Sequence, residues 1–256
     1  DMVSTARYWR PQSMKEALSL VERPATAVMG GGTRLNARPL AERGEVVDLQ
    51  ALGLDGIARR GSAMLVIGAM TRLQDLADHA EVPPVVRDAA RREEPSTLRT
   101  QATLGGCIAT AESDSELLAT LLAYDAQVQV TARSGVTEVA LETLLAGLPL
   151  DPGVIITAVS IDTRGHAELA RTGRTTADRA IVAAVARKKD GKRRLALAGV
   201  AATPVVVALG ARDLDGSGTQ DVAAGLAPPG DFRGSTEYRA ALARVLSARV
   251  LEAVER

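Results

Sequence analysis

At 256 residues, 46% of them hydrophobic, the chain suffices for one large domain or two smaller ones and is too apolar for wholesale disorder. Lysine plus arginine equals aspartate plus glutamate, at 31 each, so no global basic field attracts nucleic acid or an anionic membrane, and aromatics at 2% leave almost no stacking platform for single strands. The single cysteine, Cys107, excludes an internal disulfide framework and any cysteine-only metal or iron–sulfur site within the chain.

No apolar run reaches the length of about 18 residues that a membrane-spanning helix needs. Residues 1–7 lack a signal-peptide core, so a cytoplasmic protein is expected.

Taken in chain order, Ser13-Met14-Lys15-Glu16 reads as a capping box opening a helix over 13–21, stopped by Pro24. A short apolar strand over 27–29 runs straight into three glycines. Further strands are expected over 45–49 and 64–67. Thr71-Arg72-Leu73-Gln74 is a second capping box, for a helix over 71–78, and Pro83-Pro84 precedes a helical stretch to 92. The stretch 103–109 is mostly small residues and reads as a loop. A helix fits 114–123, with Leu117, Leu118, Leu121 and Leu122 on one face. Strands are expected over 128–131, 135–140 and 154–161, and a domain boundary near Arg164-Gly165. Beyond it, Asp190-Gly191 is a hairpin signal between strands over 180–188 and 193–200. Residues 225–234 read as a loop. From Ser235 an amphipathic helix closes the chain, with Tyr238, Leu242, Val245 and Leu246 as its apolar face.

Two stretches carry chemistry. Gly30-Gly31-Gly32-Thr33-Arg34-Leu35 follows a strand, and glycines let backbone N–H groups approach an anion closely because no Cβ intervenes. It is neither a Walker loop nor a Rossmann loop, which needs a glycine where Leu35 stands. A diphosphate cradle and a tight strand-to-helix turn are both open readings. Thr103-Leu104-Gly105-Gly106-Cys107-Ile108-Ala109-Thr110 has the same character, and two such loops make a bipartite site more credible than one. Ser113 and Glu116 form another capping box; alternatively, the Glu116 carboxylate accepts hydrogen bonds from a ligand. Cys107 has no histidine close in sequence to act as its base, so a small buried residue is expected. His79 and His166 are too isolated for a metal site. The basic run Arg187-Lys188-Lys189, resumed at Lys192-Arg193-Arg194, is either a solvated hairpin tip or a docking patch.

At the two glycine stretches the chain resembles the FAD-binding subunits of molybdenum hydroxylases, namely the medium subunit of aerobic carbon monoxide dehydrogenases and the flavin domain of xanthine dehydrogenases. The family's Ala-Gly-Gly-Thr-Asp-Leu stands here as Gly30-Gly31-Gly32-Thr33-Arg34-Leu35. Its Thr-Ile-Gly-Gly-Asn-Ile-Ala stands as Thr103-Leu104-Gly105-Gly106-Cys107-Ile108-Ala109, followed by Glu112-Ser113-Asp114-Ser115-Glu116-Leu117 and Leu121-Leu122-Ala123-Tyr124-Asp125-Ala126. The match continues through Trp9-Arg10-Pro11, Asp178-Arg179-Ala180-Ile181-Val182, Gly199-Val200-Ala201-Ala202-Thr203-Pro204 and Arg233-Gly234-Ser235-Thr236-Glu237-Tyr238-Arg239. Cys107 replaces an asparagine, Arg34 an acidic residue and Ser113 a proline.

The resemblance implies an α+β fold: a two-part FAD-binding domain (PCMH-type) over 1–164, then a smaller α+β C-terminal domain of antiparallel sheet and helices over 165–256. It implies non-covalent FAD with its diphosphate across both glycine stretches. The implied contacts are Met29, Gly30, Gly31, Gly32, Thr33, Arg34, Leu35, Ala102, Thr103, Gly106, Cys107, Ala109, Thr110 and Glu116, with Ile155 lining the flavin ring and Arg171 near it. No acid–base catalytic residue and no metal ligand is assigned to this chain. The resemblance further implies a molybdenum-cofactor large subunit and a small subunit with [2Fe-2S] clusters as partners, in a dimer of heterotrimers. FAD would pass electrons to NAD, a quinone or oxygen. A scaffold subunit that has lost tight FAD binding and a stand-alone flavin oxidoreductase are the alternatives.

Overall fold

The computed structural model describes residues 7–37, 44–175, 178–209, 226 and 228–256. The chain divides into two compact units that alternate along the sequence. The first comprises Asp1–Leu76, Glu94–Thr110 and Gln127–Ser160; the second comprises Ala77–Glu93, Ala111–Ala126 and Ile161–Arg256.

The first unit begins with a three-stranded parallel sheet of β1 (Tyr8–Trp9), β2 (Thr26–Met29) and β3 (Glu45–Asp48), in the order β1-β3-β2. Helix α1 (Met14–Val21) returns the chain between β1 and β2. Half of the expected capping box forms: Ser13 Oγ accepts from the Glu16 N–H at 3.3 Å, while the Glu16 carboxylate accepts from the Gln12 N–H at 3.1 Å. Ala17, Leu18, Leu20 and Val21 pack on Val47, Leu49 and Ile155. A 3-10 turn over Gln50–Leu52 follows β3.

The second sheet of this unit has the order β4-β5-β8-β6-β7. Its strands are β4 (Ile57–Arg60), β5 (Met64–Gly68), β6 (Gln127–Ala132), β7 (Gly135–Ala140) and β8 (Ile155–Asp162), the last running on into the second unit. The chain between β5 and β6 carries α2 (Leu73–Asp78), α3 (Pro84–Glu93), α4 (Ser96–Arg99), α5 (Leu104–Thr110) and α6 (Glu116–Ala123), and α7 (Leu141–Ala146) precedes β8.

The second unit is built on an antiparallel sheet, β12-β11-β10-β9, from β9 (His166–Thr172), β10 (Val182–Lys189), β11 (Lys192–Ala198) and β12 (Val205–Val207). Side chains alternate across a strand. Val182, Ala184 and Ala186 of β10 and Leu195 and Leu197 of β11 meet Ala243, Leu246, Val250 and Leu251 of α8 (Thr236–Ala253). On the opposite face, Arg187 and Arg194 reach α6: Arg187 Nη1 donates to the Tyr124 carbonyl at 3.0 Å and Arg194 Nε to the Leu122 carbonyl at 2.7 Å. Small residues dominate β10 because both its faces are covered.

The Asp190-Gly191 hairpin forms as expected. Lys189 pairs with Lys192 across a two-residue loop, with φ of 50° and 74° at its centre. Its tip, Asp190 to Lys192, is exposed, but the basic flanks are engaged in ion pairs and hydrogen bonds. Arg187 is buried, Lys189 Nζ pairs with Asp162 at 2.8 Å, and Lys188 Nζ pairs with Glu255 at 2.7 Å, as Arg193 also does.

Three further expectations are corrected. Residues 104–110 form a helix rather than a loop. Helix α6 is capped by Ser115, whose Oγ accepts from the Leu118 N–H at 3.0 Å, rather than by Ser113. The buried face of α8 carries Arg239, Ala243, Leu246, Ser247, Val250 and Leu251, while Tyr238 and Val245 face solvent. Of the loop expected over 225–234, Gly225 and Ala227 lie outside the described residues; 228–234 contain no helix or strand. No helix among the described residues is long and apolar enough to cross a membrane.

Candidate functional site

Strand β2 ends at Met29, whose carbonyl accepts from the Leu49 N–H at 3.0 Å, and the three glycines leave the sheet there. The backbone N–H groups of Gly30, Gly31, Gly32 and Thr33 have no acceptor among the described residues. Unpaired backbone donors are rare in folded chains unless water or a ligand takes them. The loop closes with the Asn36 N–H donating to the Gly32 carbonyl at 2.8 Å, and Gly32 has φ of 73°, a left-handed conformation that suits glycine.

The glycines also allow close stacking. A Cβ on Gly31 would lie 1.7 Å from the Gln101 carbonyl oxygen, and one on Gly30 would lie 2.5 Å from Thr103 Oγ1. The first loop therefore rests on the backbone of residues 101–103. That same segment leads into α5, so the two glycine stretches come together within one unit, as the sequence implied.

The second stretch differs from the first in where its donors go. The Leu104 N–H donates to the Thr71 carbonyl at 3.0 Å and the Gly105 N–H to the Ala69 carbonyl at 2.8 Å. The Gly106 N–H donates to Thr103 Oγ1 at 3.2 Å and the Cys107 N–H to the Thr103 carbonyl at 3.0 Å. Thr103 thus caps α5. A Cβ on Gly105 would lie 2.9 Å from the Ala69 Cβ, which explains that glycine by packing. The Thr110 hydroxyl donates back to the Gly106 carbonyl at 3.0 Å. Ala102 and Thr103 are buried, Gly106 and Cys107 half-buried, Ala109 and Thr110 exposed. Cys107 is thus less buried than expected.

The remaining implied residues lie elsewhere. Ile155 is buried in the α1 core, and Leu35 follows the loop half-buried. Glu116 and Arg171 belong to the second unit and touch each other, with Arg171 Nε donating to Glu116 Oε1 at 2.6 Å. The other Glu116 oxygen accepts from Arg92 Nε at 2.8 Å. A buried carboxylate between two guanidinium groups is well neutralised. Nearby, Arg179 Nη2 contacts Glu93 at 3.2 Å and Asp114 at 3.0 Å, and Arg233 Nη1 contacts Asp114 at 2.7 Å. Burial pushes the Glu93 carboxyl above the usual range, and the Arg179 charge opposes that shift.

Sequence reasoning missed Glu94, a buried carboxylate whose Oε1 accepts from Arg34 Nη2 at 2.7 Å. Sixty positions separate the pair, so one sequence holds no sign of it. No group of histidine, cysteine, aspartate and glutamate fit to hold a metal occurs among the described residues. His166 instead meets Glu168 at 2.9 Å, and His79 Nδ1 accepts from the Glu81 N–H at 3.3 Å.

Residues 3–163 match the family described as the FAD binding domain in molybdopterin dehydrogenase. The chain belongs to this family. It is 34% identical over 249 residues to YgfM of Escherichia coli K12, a protein described as uncharacterized, with 94% of this chain and 93% of that one covered. It is 28% identical over 274 residues to the carbon monoxide dehydrogenase medium chain of Afipia carboxidovorans, with 96% and 95% covered. Reconstituted CO dehydrogenase from Oligotropha carboxidovorans superposes with a TM-score of 0.84 at 26% identity, covering 98% of both chains. The residues present fit the family's cofactor at the first loop, where four neighbouring N–H groups have no acceptor among the described residues and a side chain on Gly31 has no room.

Proposed function

We propose that this chain is the FAD-carrying medium subunit of a molybdenum hydroxylase complex, alongside a molybdenum-cofactor large subunit and a small [2Fe-2S] subunit. It is an oxidoreductase subunit, and bound FAD supplies the redox chemistry that carries electrons from the iron–sulfur clusters to an external acceptor. We further assign it to a dimer of heterotrimers in the cytoplasm, with sequence modules over 1–164 and 165–256. The observation that carries the reading is the row of N–H groups from Gly30 to Thr33 that find no acceptor among the described residues.

In this reading Gly30, Gly31, Gly32 and Thr33 hold the diphosphate through their backbone. Met29 and Leu35 bound the loop, while Ala102 and Thr103 form the surface on which it rests. Thr103 and Gly106 keep α5 in place through their mutual hydrogen bond, and Glu116 orients Arg171. The residues move no proton; they bind, orient and exclude water.

A second reading has support of its own. The donors of α5 are turned inward and Cys107 replaces an asparagine, so the grip on FAD rests on one loop instead of two. This favours a subunit that binds FAD weakly. Visible absorption of the complex purified from its native source tests both readings. One flavin per chain supports the first. A colourless chain that also takes up no added FAD, in a complex that still holds molybdenum and iron–sulfur subunits, supports a scaffold. Purification of this chain with flavin but without such partners overturns the subunit assignment.

A further inference from the structure

The residue after the diphosphate loop is a cation, yet the structure does not point it at the loop's N–H groups. Arg34 Nη2 lies 2.7 Å from Glu94 Oε1, and the Glu94 side chain is only 6% exposed against 40% for Arg34. Glu94 opens the segment on which the loop rests. The Leu98 and Arg99 N–H groups donate to the Pro95 carbonyl at 2.9 and 2.8 Å, and Arg99 Nε donates to Gln74 Oε1 at 2.8 Å. The glycine loop is therefore fastened to one platform at two points: by steric contact at Gly31 and Gln101, and by charge at Arg34 and Glu94.

We propose that Glu94 is a positioning residue for the cofactor, which by retaining the Arg34 guanidinium holds the glycine loop in the conformation that presents its N–H groups to a diphosphate. This rests on the FAD reading above. A guanidinium that moved to a phosphate would leave a carboxylate buried without its partner, a costly arrangement. Arg34 therefore stays on Glu94, and the diphosphate meets backbone donors alone. The same pair neutralises the charge that an arginine introduces where the family pattern has an acidic residue.

The two possible roles of Arg34 predict opposite signs for one substitution. If Glu94 positions the loop, Glu94→Gln weakens FAD binding about tenfold, the order expected of a charge-assisted hydrogen bond to a buried carboxylate. If Arg34 contacts the diphosphate directly, Glu94→Gln frees the guanidinium, removes a negative charge and tightens binding. The test is the FAD dissociation constant of the full chain, read by quenching of flavin fluorescence for the wild type, E94Q, R34Q and the charge swap R34E/E94R, with the melting temperature of each apo-protein alongside. The expected result is weaker binding in both single variants and recovery to within about threefold of wild type in the swap, since the swap restores the pair but puts a carboxylate beside the loop. Tighter binding by E94Q, or a swap no better than R34Q, overturns the proposal. If E94Q does not fold, R34Q against the swap decides the matter by the same recovery. A wild-type chain that binds no FAD overturns the FAD reading itself, a result distinct from any of these.

Discussion

Gly31→Ala is the sharpest perturbation of the loop. A Cβ there would lie 1.7 Å from the Gln101 carbonyl oxygen and 2.5 Å from its carbon, whereas Cβ atoms essentially never approach closer than 3.0 Å. About 1.3 Å of separation must be opened, and the obstructing atoms are backbone, so no rotamer change relieves the contact. Gly31 does not have positive φ, so alanine's backbone preference contributes nothing and the cost is steric. Overpacking of this depth costs about 3 kcal/mol, shared between displacement of the loop and loss of FAD affinity. If all of it appears in binding, affinity falls about a hundredfold. The assay is flavin content after purification, together with thermal melting with and without added FAD. Gly61→Ala is the matched control. Gly61 has φ of 67° and nothing within 4 Å of a new Cβ. It is expected to lose about 1 kcal/mol of stability and to keep its flavin. A G31A protein with one FAD per chain and the wild-type melting temperature refutes the packing argument.

Other substitutions read the second unit. Arg187→Met removes donors from the carbonyls of Tyr124, Asp162 and Arg164 and is expected to cost about 3 kcal/mol, visible as a lower melting temperature; Arg187→Lys should rescue little, because a point charge cannot replace a planar fork. Arg239→Met strips donors from the carbonyls of Ile181 and Gly199, at 2.6 and 3.0 Å, and should loosen α8, as read by faster amide exchange along it. Hydrogen bonds from Arg193 and Lys188 hold the Glu255 carboxyl at about 2, below its ordinary 4.5. A depressed carboxylate stabilises the fold above its unfolded value and loses that contribution as pH falls through about 2. Glu255→Gln should therefore flatten the acid limb of the stability profile between those values; an unchanged limb argues against the pair.

The residues themselves made much of this fold legible, and the resemblance supplied its class. A short apolar run ending in three glycines marked both the end of β2 and the loop that follows it. Capping boxes located α1 and α2, and Asp190-Gly191 located the hairpin. Helix α5 was hidden because Gly105-Gly106 is a poor helix sequence; the helix forms because Thr103 caps it and the carbonyls of Ala69 and Thr71 take its first donors. The face of α8 was misjudged because apolarity selected Tyr238 and Val245. The true inner face includes Arg239, whose guanidinium lies where main-chain carbonyls satisfy it. Glu94 lies 60 positions from Arg34, and Arg92 and Arg171 lie 24 and 55 positions from Glu116; no periodicity or spacing rule reaches that far.

The alternation of the chain between its two compact units limits how the protein can be taken apart. Helices α3 and α6 come early in the sequence, yet α6 packs on β10 and β11, which come late. A fragment cut to residues 165–256 would carry the antiparallel sheet without the helix whose carbonyls receive Arg187 and Arg194. Both guanidinium groups would lose those acceptors, and a sheet face rich in alanine and valine would be laid open. Transplanting the late module into another protein would therefore also require the segments Ala77–Glu93 and Ala111–Ala126, because the compact unit here is a set of interleaved segments rather than a stretch of gene.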